Sequence, residues 1–325
     1  MRTLIVAFVG AMAWLTNSAI AQETKYLAAR VEFHTVNSLT ISDQQFLTGD
    51  ENGKAAQLAG QLRIAQGSGR LPVVILLHGS GGISSNMEFW SRELNASGIS
   101  TFVIDGFTGR GITSTSTNQS LLGRLNSVLD VYRSLEILSK HPRVDPTRIA
   151  VMGFSRGGQG TLYASELRFQ KLWNKSRVDL AAYIPFYPDC STTYADDTDI
   201  ASRPVRIFHG TPDDYNPVAS CKLFVERLKA AGKDIVLSEY PNAQHAFDVP
   251  LIAGPSIVAK DNQTVRNCKL REEPAGVIVN VSSKEPFTYN DACVELNPHI
   301  GYDPQATAAA KQAVIEFLKT LFRLS

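Results

Sequence analysis

Gly153-Phe154-Ser155-Arg156-Gly157-Gly158 follows directly on the apolar run Ile149 to Met152 and opens a helix-period stretch through Tyr163 and Leu167. A G-x-S-x-G pentapeptide between a strand and a helix is the tight turn that presents a serine hydroxyl at the end of a sheet. Its glycines are needed because the turn brings the backbone against its neighbours, and only residues without a Cβ relieve the crowding. A Gly-rich helix start with an inert N-cap serine would share these letters but would not need the strand before it. Ser155 is therefore the expected nucleophile, and the chain must build a sheet to present it.

From about residue 70, strand-length apolar runs alternate with helix-period stretches. That is the pattern of an α/β protein with a mostly parallel central sheet and helices on both faces. The strands are expected at Val73 to Leu77, Thr101 to Ile104, Ile149 to Met152, Leu180 to Ile184, Val205 to Phe208 and Ile235 to Leu237. Val31 to Val36 and Gln57 to Ala65 alternate apolar and polar residues and suit antiparallel edge strands. A helix over Leu121 to Ser139 would carry the stripe Leu121, Leu125, Val128, Tyr132 and Leu135. Asn216-Pro217 reads as the start of a helix that Gly232 ends, and Asp303-Pro304 starts a last helix with the stripe Ala310, Val314, Phe317 and Leu321. Residues 249–300 break the periodicity and read as an insertion, either a lid or a surface loop.

A serine hydroxyl needs a base and an acid to orient that base, and both should stand where strands end. Asp213 follows the strand Val205 to Phe208, and His245 follows the next strand, in the order acid before histidine. Asp214 is the alternative acid, and Asp248 reads better as a cap or supporting group. Of the remaining histidines, His78 and His209 precede glycines just past strands and read as structural. His34 and His141 fall away from that edge, and His299 lies after the insertion. Two N–H donors are required for an oxyanion. The expected pair is Arg156 N–H and Ser80 N–H, with Gly81 as the alternative, from the turn His78-Gly79-Ser80-Gly81-Gly82. A phosphate-binding reading of that turn fails, since no lysine follows and no G-x-G-x-x-G is present. Phe107, Arg110, Tyr187 and Trp90 are candidates for the substrate cleft.

Gly153 to Gly158, His209 to Pro217 and Tyr240 to Asp248 together resemble the α/β-hydrolase superfamily, and within it the dienelactone hydrolase family. The G-x-x-D-x-x-x-P loop combined with Y-P-x-A-x-H-x-F-D is the more specific part. The resemblance runs from about residue 55 to the end, apart from the insertion. It implies the α/β-hydrolase fold, Ser155 as nucleophile, Asp213 as acid and His245 as base. The founding members use a cysteine nucleophile where this chain has serine, so the dienelactone substrate does not carry over with the motif. The expected activity is hydrolysis of small carboxylic esters or lactones through an acyl-enzyme, with no cofactor and no metal. A peptidase or acyltransferase on the same residues is the alternative, and a non-catalytic binding protein of this fold the third reading.

Arg2, the apolar stretch Leu4 to Leu15 and Ala19-Ile20-Ala21 have the form of a signal peptide over residues 1–21, cleaved before Gln22. The mature chain, 22–325, would be a single catalytic domain, periplasmic or secreted, with no membrane span. Its removal takes away Arg2 and no acidic residue, so the 32 basic and 31 acidic residues become equal in number. A balanced charge excludes a nucleic-acid-binding surface and long-range steering of charged polymers. Export makes disulfides the default for Cys190, Cys221, Cys268 and Cys293. Of the three pairings four cysteines allow, Cys190 with Cys221 and Cys268 with Cys293 are favoured, because each pair brackets a region the fold brings together. N-x-S/T sequons at Asn95, Asn118, Asn174, Asn262 and Asn280 carry no information without knowledge of the host.

Overall fold

The computed structural model describes residues 26–324; the expected signal peptide lies outside them. The strands are β1 (Arg30–Thr40), β2 (Lys54–Ile64), β3 (Leu71–Leu77), β4 (Ser100–Asp105), β5 (Val144–Phe154), β6 (Tyr183–Phe186), β7 (Thr192–Thr193), β8 (Val205–Gly210) and β9 (Ile235–Tyr240). Residues 249–300 add the short strands β10 (Ile257–Val258), β11 (Gln263–Thr264), β12 (Leu270–Glu273), β13 (Val277–Asn280), β14 (Glu295–Leu296) and β15 (His299–Ile300). The helices are α1 (Asp43–Thr48), α2 (Ser85–Ala96), α3 (Asn126–Leu138), α4 (Arg156–Tyr163), α5 (Leu167–Trp173), α6 (Val218–Ala230) and α7 (Pro304–Phe322).

Eight strands form one sheet in the order β1-β2-β4-β3-β5-β6-β8-β9. From β4 to β9 all neighbours run parallel, while β1 and β2 form an antiparallel ribbon at one edge. The parallel strands read as unbroken apolar runs because both faces are covered. Val73, Ile75 and Leu77 of β3 pack with α1, α3, α5 and α6 on one face, and Val74 and Leu76 pack with α2 and α7 on the other. The α/β-hydrolase architecture expected from the sequence is the one observed.

Several boundaries differ from the sequence reading, and three of the differences have a clear local reason. Strand β6 runs on through Pro185 instead of stopping before it. Tyr183 N–H bonds to Pro204 O and Tyr187 N–H to Phe208 O, and Pro185 between them simply leaves one rung towards β8 empty. Helix α3 starts at Asn126, not Leu121, which is exposed in a 3-10 turn. Asp43 Oδ1 accepts from Leu125 N and Asn126 bonds Ile41 through its side chain, so contacts with the α1 region decide where that helix begins. Asn216 does not cap α6; its N–H and side chain serve other partners, given below. In α7, Asp303 does cap, accepting from Gln305 N and Ala306 N, but Leu318 and Phe322 are buried where Phe317 and Leu321 are only half-buried.

The insertion is not a bare loop. Its hairpin β12–β13 extends β7 into a three-stranded sheet, β10 pairs β15, and β11 pairs β14. Val265, Cys268 and Leu270 make a small core of its own. The Cys268–Cys293 bond closes it, with S–S 2.01 Å, and Cys190 is bonded to Cys221 at 2.09 Å. Among the described residues no helix is long and apolar enough to cross a membrane.

Candidate active site

Strand β5 delivers Ser155 at its carboxyl end and α4 begins one residue later. Ser155 has φ +55° and ψ −114°, a conformation that L-residues rarely adopt and that the packing around it must impose. Gly157 shows how tight that packing is: a Cβ there would lie 2.4 Å from Leu77 O. Gly79 plays the same part opposite, since its Cβ would lie 3.2 Å from Phe154 O and 3.3 Å from Ser155 Cβ.

The structure brings Ser155, His245 and Asp213 together from three loops at the same sheet edge. Ser155 Oγ is 2.9 Å from His245 Nε2, and His245 Nδ1 is 2.8 Å from Asp213 Oδ2. If Nδ1–H donates to the carboxylate, Nε2 is left as an acceptor for the serine hydroxyl. The other carboxylate oxygen is fixed as well, because Asp213 Oδ1 accepts from Tyr215 N and Asn216 N, both at 2.9 Å. Asn216 Nδ2 then donates to Tyr187 O and ties the Asp213 loop to the end of β6. The Tyr215 ring stacks on the imidazole at 4.5 Å, and Tyr187 leans on it at 4.7 Å. Asp213 and His245 are both buried.

The alternatives occupy other places. Asp214 accepts from His299 N, His299 Nδ1 and Arg266 Nη1; burial raises its pKa, but these partners outweigh that and hold the carboxyl below the usual range. Asp248 lies under the site and accepts from Tyr187 OH, Trp90 Nε1 and Asn86 Nδ2, while complete burial pushes its pKa up. His209 donates through Nδ1 to Gly210 O and stands 3.9 Å from Asp213, beyond hydrogen-bond reach; burial pushes its pKa down. His78 bridges Gly79 O and Gly106 N.

Ser155 separates two cavities. One, of about 230 Å³, is walled by Gly79 to Gly82, Tyr187, Val249, Ile252 and Ile300. The other is smaller and polar, walled by Ser80, Gln119, Arg124, Arg156, Gln159 and Tyr289. Ser80 and Arg156 thus flank the serine. The Arg156 N–H opens α4, so it has no acceptor within the helix. The Arg156 side chain turns away to Gln119 Oε1 and Leu122 O. Of the four expected cleft residues only Tyr187 reaches a cavity beside Ser155. Trp90 is spent on Asp248, Arg110 forks onto Asp130 at 2.7 and 2.8 Å, and Phe107 packs on His78.

A sequence profile of the dienelactone hydrolase family matches residues 58–322. The chain belongs to the dienelactone hydrolase family. Membership makes it a hydrolase, with serine at the elbow position. Among solved structures, a dienelactone hydrolase-like promiscuous phosphotriesterase from metagenomic libraries is 18% identical, with TM-score 0.59 over 90% of this chain and 98% of its own. A putative dienelactone hydrolase from Klebsiella pneumoniae is 15% identical, with TM-score 0.55 over 88% and 98%. Esterase 2 of Thermogutta terrifontis is 15% identical, with TM-score 0.56 over 92% and 97%. At these identities the likeness is one of fold. No curated protein matches the sequence.

Beyond the family motif, this dienelactone hydrolase family member has polar walls that the sequence did not reveal. Arg124 donates to Asp189 at 2.8 Å and to Tyr289 OH at 2.7 Å, and Gln119 is held by Gln263. Tyr289 and Gln263 belong to the insertion, far from Ser155 in sequence, and no local signal marks them.

Proposed function

We propose that the protein is an exported serine hydrolase that cleaves small carboxylic esters or lactones through an acyl-enzyme. The observation that carries this reading is the continuous path from Ser155 Oγ through His245 to Asp213, with spacings of 2.9 and 2.8 Å. In the proposed reaction His245 Nε2 takes the hydroxyl proton as Ser155 Oγ attacks the carbonyl carbon. Asp213 holds the imidazole tautomer and stabilises the imidazolium. The oxyanion is received by the N–H groups of Arg156 and Ser80, and the imidazolium returns its proton to the leaving alkoxide. Water then attacks the acyl-enzyme with the same base. The two disulfides agree with an oxidising compartment.

Fluorophosphonate labelling of the purified mature chain, with peptide mass spectrometry to place the adduct, tests this without a guess at the substrate. The expected adduct is on Ser155, is absent from Ser155→Ala and falls by about 10³-fold or more in rate in His245→Ala. No adduct on a folded protein with both disulfides formed would overturn the reading.

A further inference from the structure

Glu32 and His34 stand two residues apart on β1, and strand alternation puts both side chains on one face. His141, in the turn between α3 and β5, reaches the same spot. Its Nε2 is 3.0 Å from Glu32 Oε2, and His34 Nε2 is 3.2 Å from that same oxygen. Among the described residues, this is the group of His, Cys, Asp or Glu whose three ligand atoms lie within 4.8 Å of one another. We propose that Glu32, His34 and His141 form a binding site for a late first-row divalent cation, zinc first, separate from the hydrolytic centre.

Two imidazoles and one carboxylate are the donors that zinc and its neighbours prefer, whereas magnesium and calcium take oxygen ligands. Zinc–ligand bonds of about 2.0–2.1 Å give a tetrahedron with edges of about 3.3 Å. The separations of 3.0 and 3.2 Å from Glu32 Oε2 are already close to such edges. The donors are also held in place. Arg30 Nε binds the outer oxygen, Glu32 Oε1, at 2.9 Å. The His34 ring meets His141 edge-on at 5.7 Å and lies 6.2 Å from Phe102. All three side chains are part-buried, which leaves one side open for entry and for a water as fourth ligand.

Without metal, Glu32 Oε2 accepts from both Nε2–H groups, and His141 Nδ1 accepts from Arg143 N at 3.2 Å. A bound cation replaces the Nε2 protons, so the single proton of each neutral imidazole moves to Nδ1. At His141 this breaks the bond from Arg143, and that loss opposes binding. Arg30 adds a positive charge nearby, but its side chain is 73% exposed and can turn to water without leaving a buried charge. The occupied site would pin the outermost strand, which among the described residues pairs only with β2, to the turn that leads into β5.

The test is calorimetric titration of the chelator-stripped full chain with zinc, nickel and magnesium chlorides in turn, followed by thermal melts. Expected are one zinc per chain with a micromolar or tighter Kd, comparable nickel binding, no magnesium binding, and a Tm that rises with zinc. His34→Ala and His141→Ala should each weaken zinc at least tenfold. Glu32→Gln, which keeps the shape and an acceptor oxygen, should do the same with the metal-free Tm within a few degrees of wild type. His245→Ala should leave zinc binding unchanged, which separates this site from the triad. Absence of zinc binding, or binding that survives in both His34→Ala and His141→Ala, would overturn the proposal and leave the cluster as a hydrogen-bonded clip.

Discussion

Glu166, at the start of α5, is buried with neither carboxylate oxygen bonded to a protein partner among the described residues. Burial pushes its pKa well up; Arg168 opposes this, and the carboxylates of Asp197, Glu272 and Asp196 add smaller upward pushes. An unfolded chain ionises this group near pH 4.5, so its neutral folded form stabilises fully below that pH. The contribution fades as pH rises above 4.5, until the folded group itself ionises. Glu166→Gln should therefore match wild type in Tm at pH 4 and exceed it at pH 8, by roughly 2–4 °C per kcal/mol recovered. Melting curves across that range decide it, and a variant that is less stable at pH 8 would show that the charge is accommodated. The meeting of Ser155, Asp213 and His245 at one sheet edge is legible in the sequence because each follows a strand end, in a fixed order. Glu166, Gln119 and Arg124 are not, since their surroundings are supplied by segments distant in the chain.

The strand-turn-helix from β5 to α4 is legible for a different reason: its glycines record contacts with other elements. A methyl on Gly157 would meet two backbone oxygens, Leu77 O at 2.4 Å and His78 O at 2.6 Å, and neither can swing aside like a side chain. Gly157→Ala should cost about 1–3 kcal/mol and move Ser155 relative to His245. Fluorophosphonate labelling should slow by tenfold or more while far-UV circular dichroism stays unchanged; wild-type labelling would mean the elbow has slack. Element ends are harder to read than element cores. Helix α3 begins where Asp43 and Asn126 make contact with the α1 region, and β6 tolerates Pro185 because one missing rung is cheaper than abandoning the strand.

On the scale of the whole molecule, the sequence shows that residues 249–300 depart from the alternating pattern, but not how closely they join the rest. Thr264 Oγ1 donates to Tyr215 O at 2.6 Å and Arg266 grips Asp214, so the insertion leans on the loop that carries Asp213. Yet the partners of the Asp213 carboxylate, His245, Tyr215 and Asn216, all lie outside it. Gln263 and Leu296 face each other across an antiparallel pair, so residues 264–295 can be replaced by a two-glycine turn. That variant should label at Ser155 within about tenfold of wild type, with Tm several degrees lower; loss of labelling in a folded variant would make the insertion part of the machinery. The position of Ser155 between a larger cavity of mixed lining and a smaller one with polar walls has a further consequence for the proposed chemistry. An ester lying across the serine has its two halves sorted before any bond breaks, and the product held on the far side from the acyl group departs first. The incoming water then enters by the vacated side, so the cavity that admits one half of the substrate also times the second half-reaction.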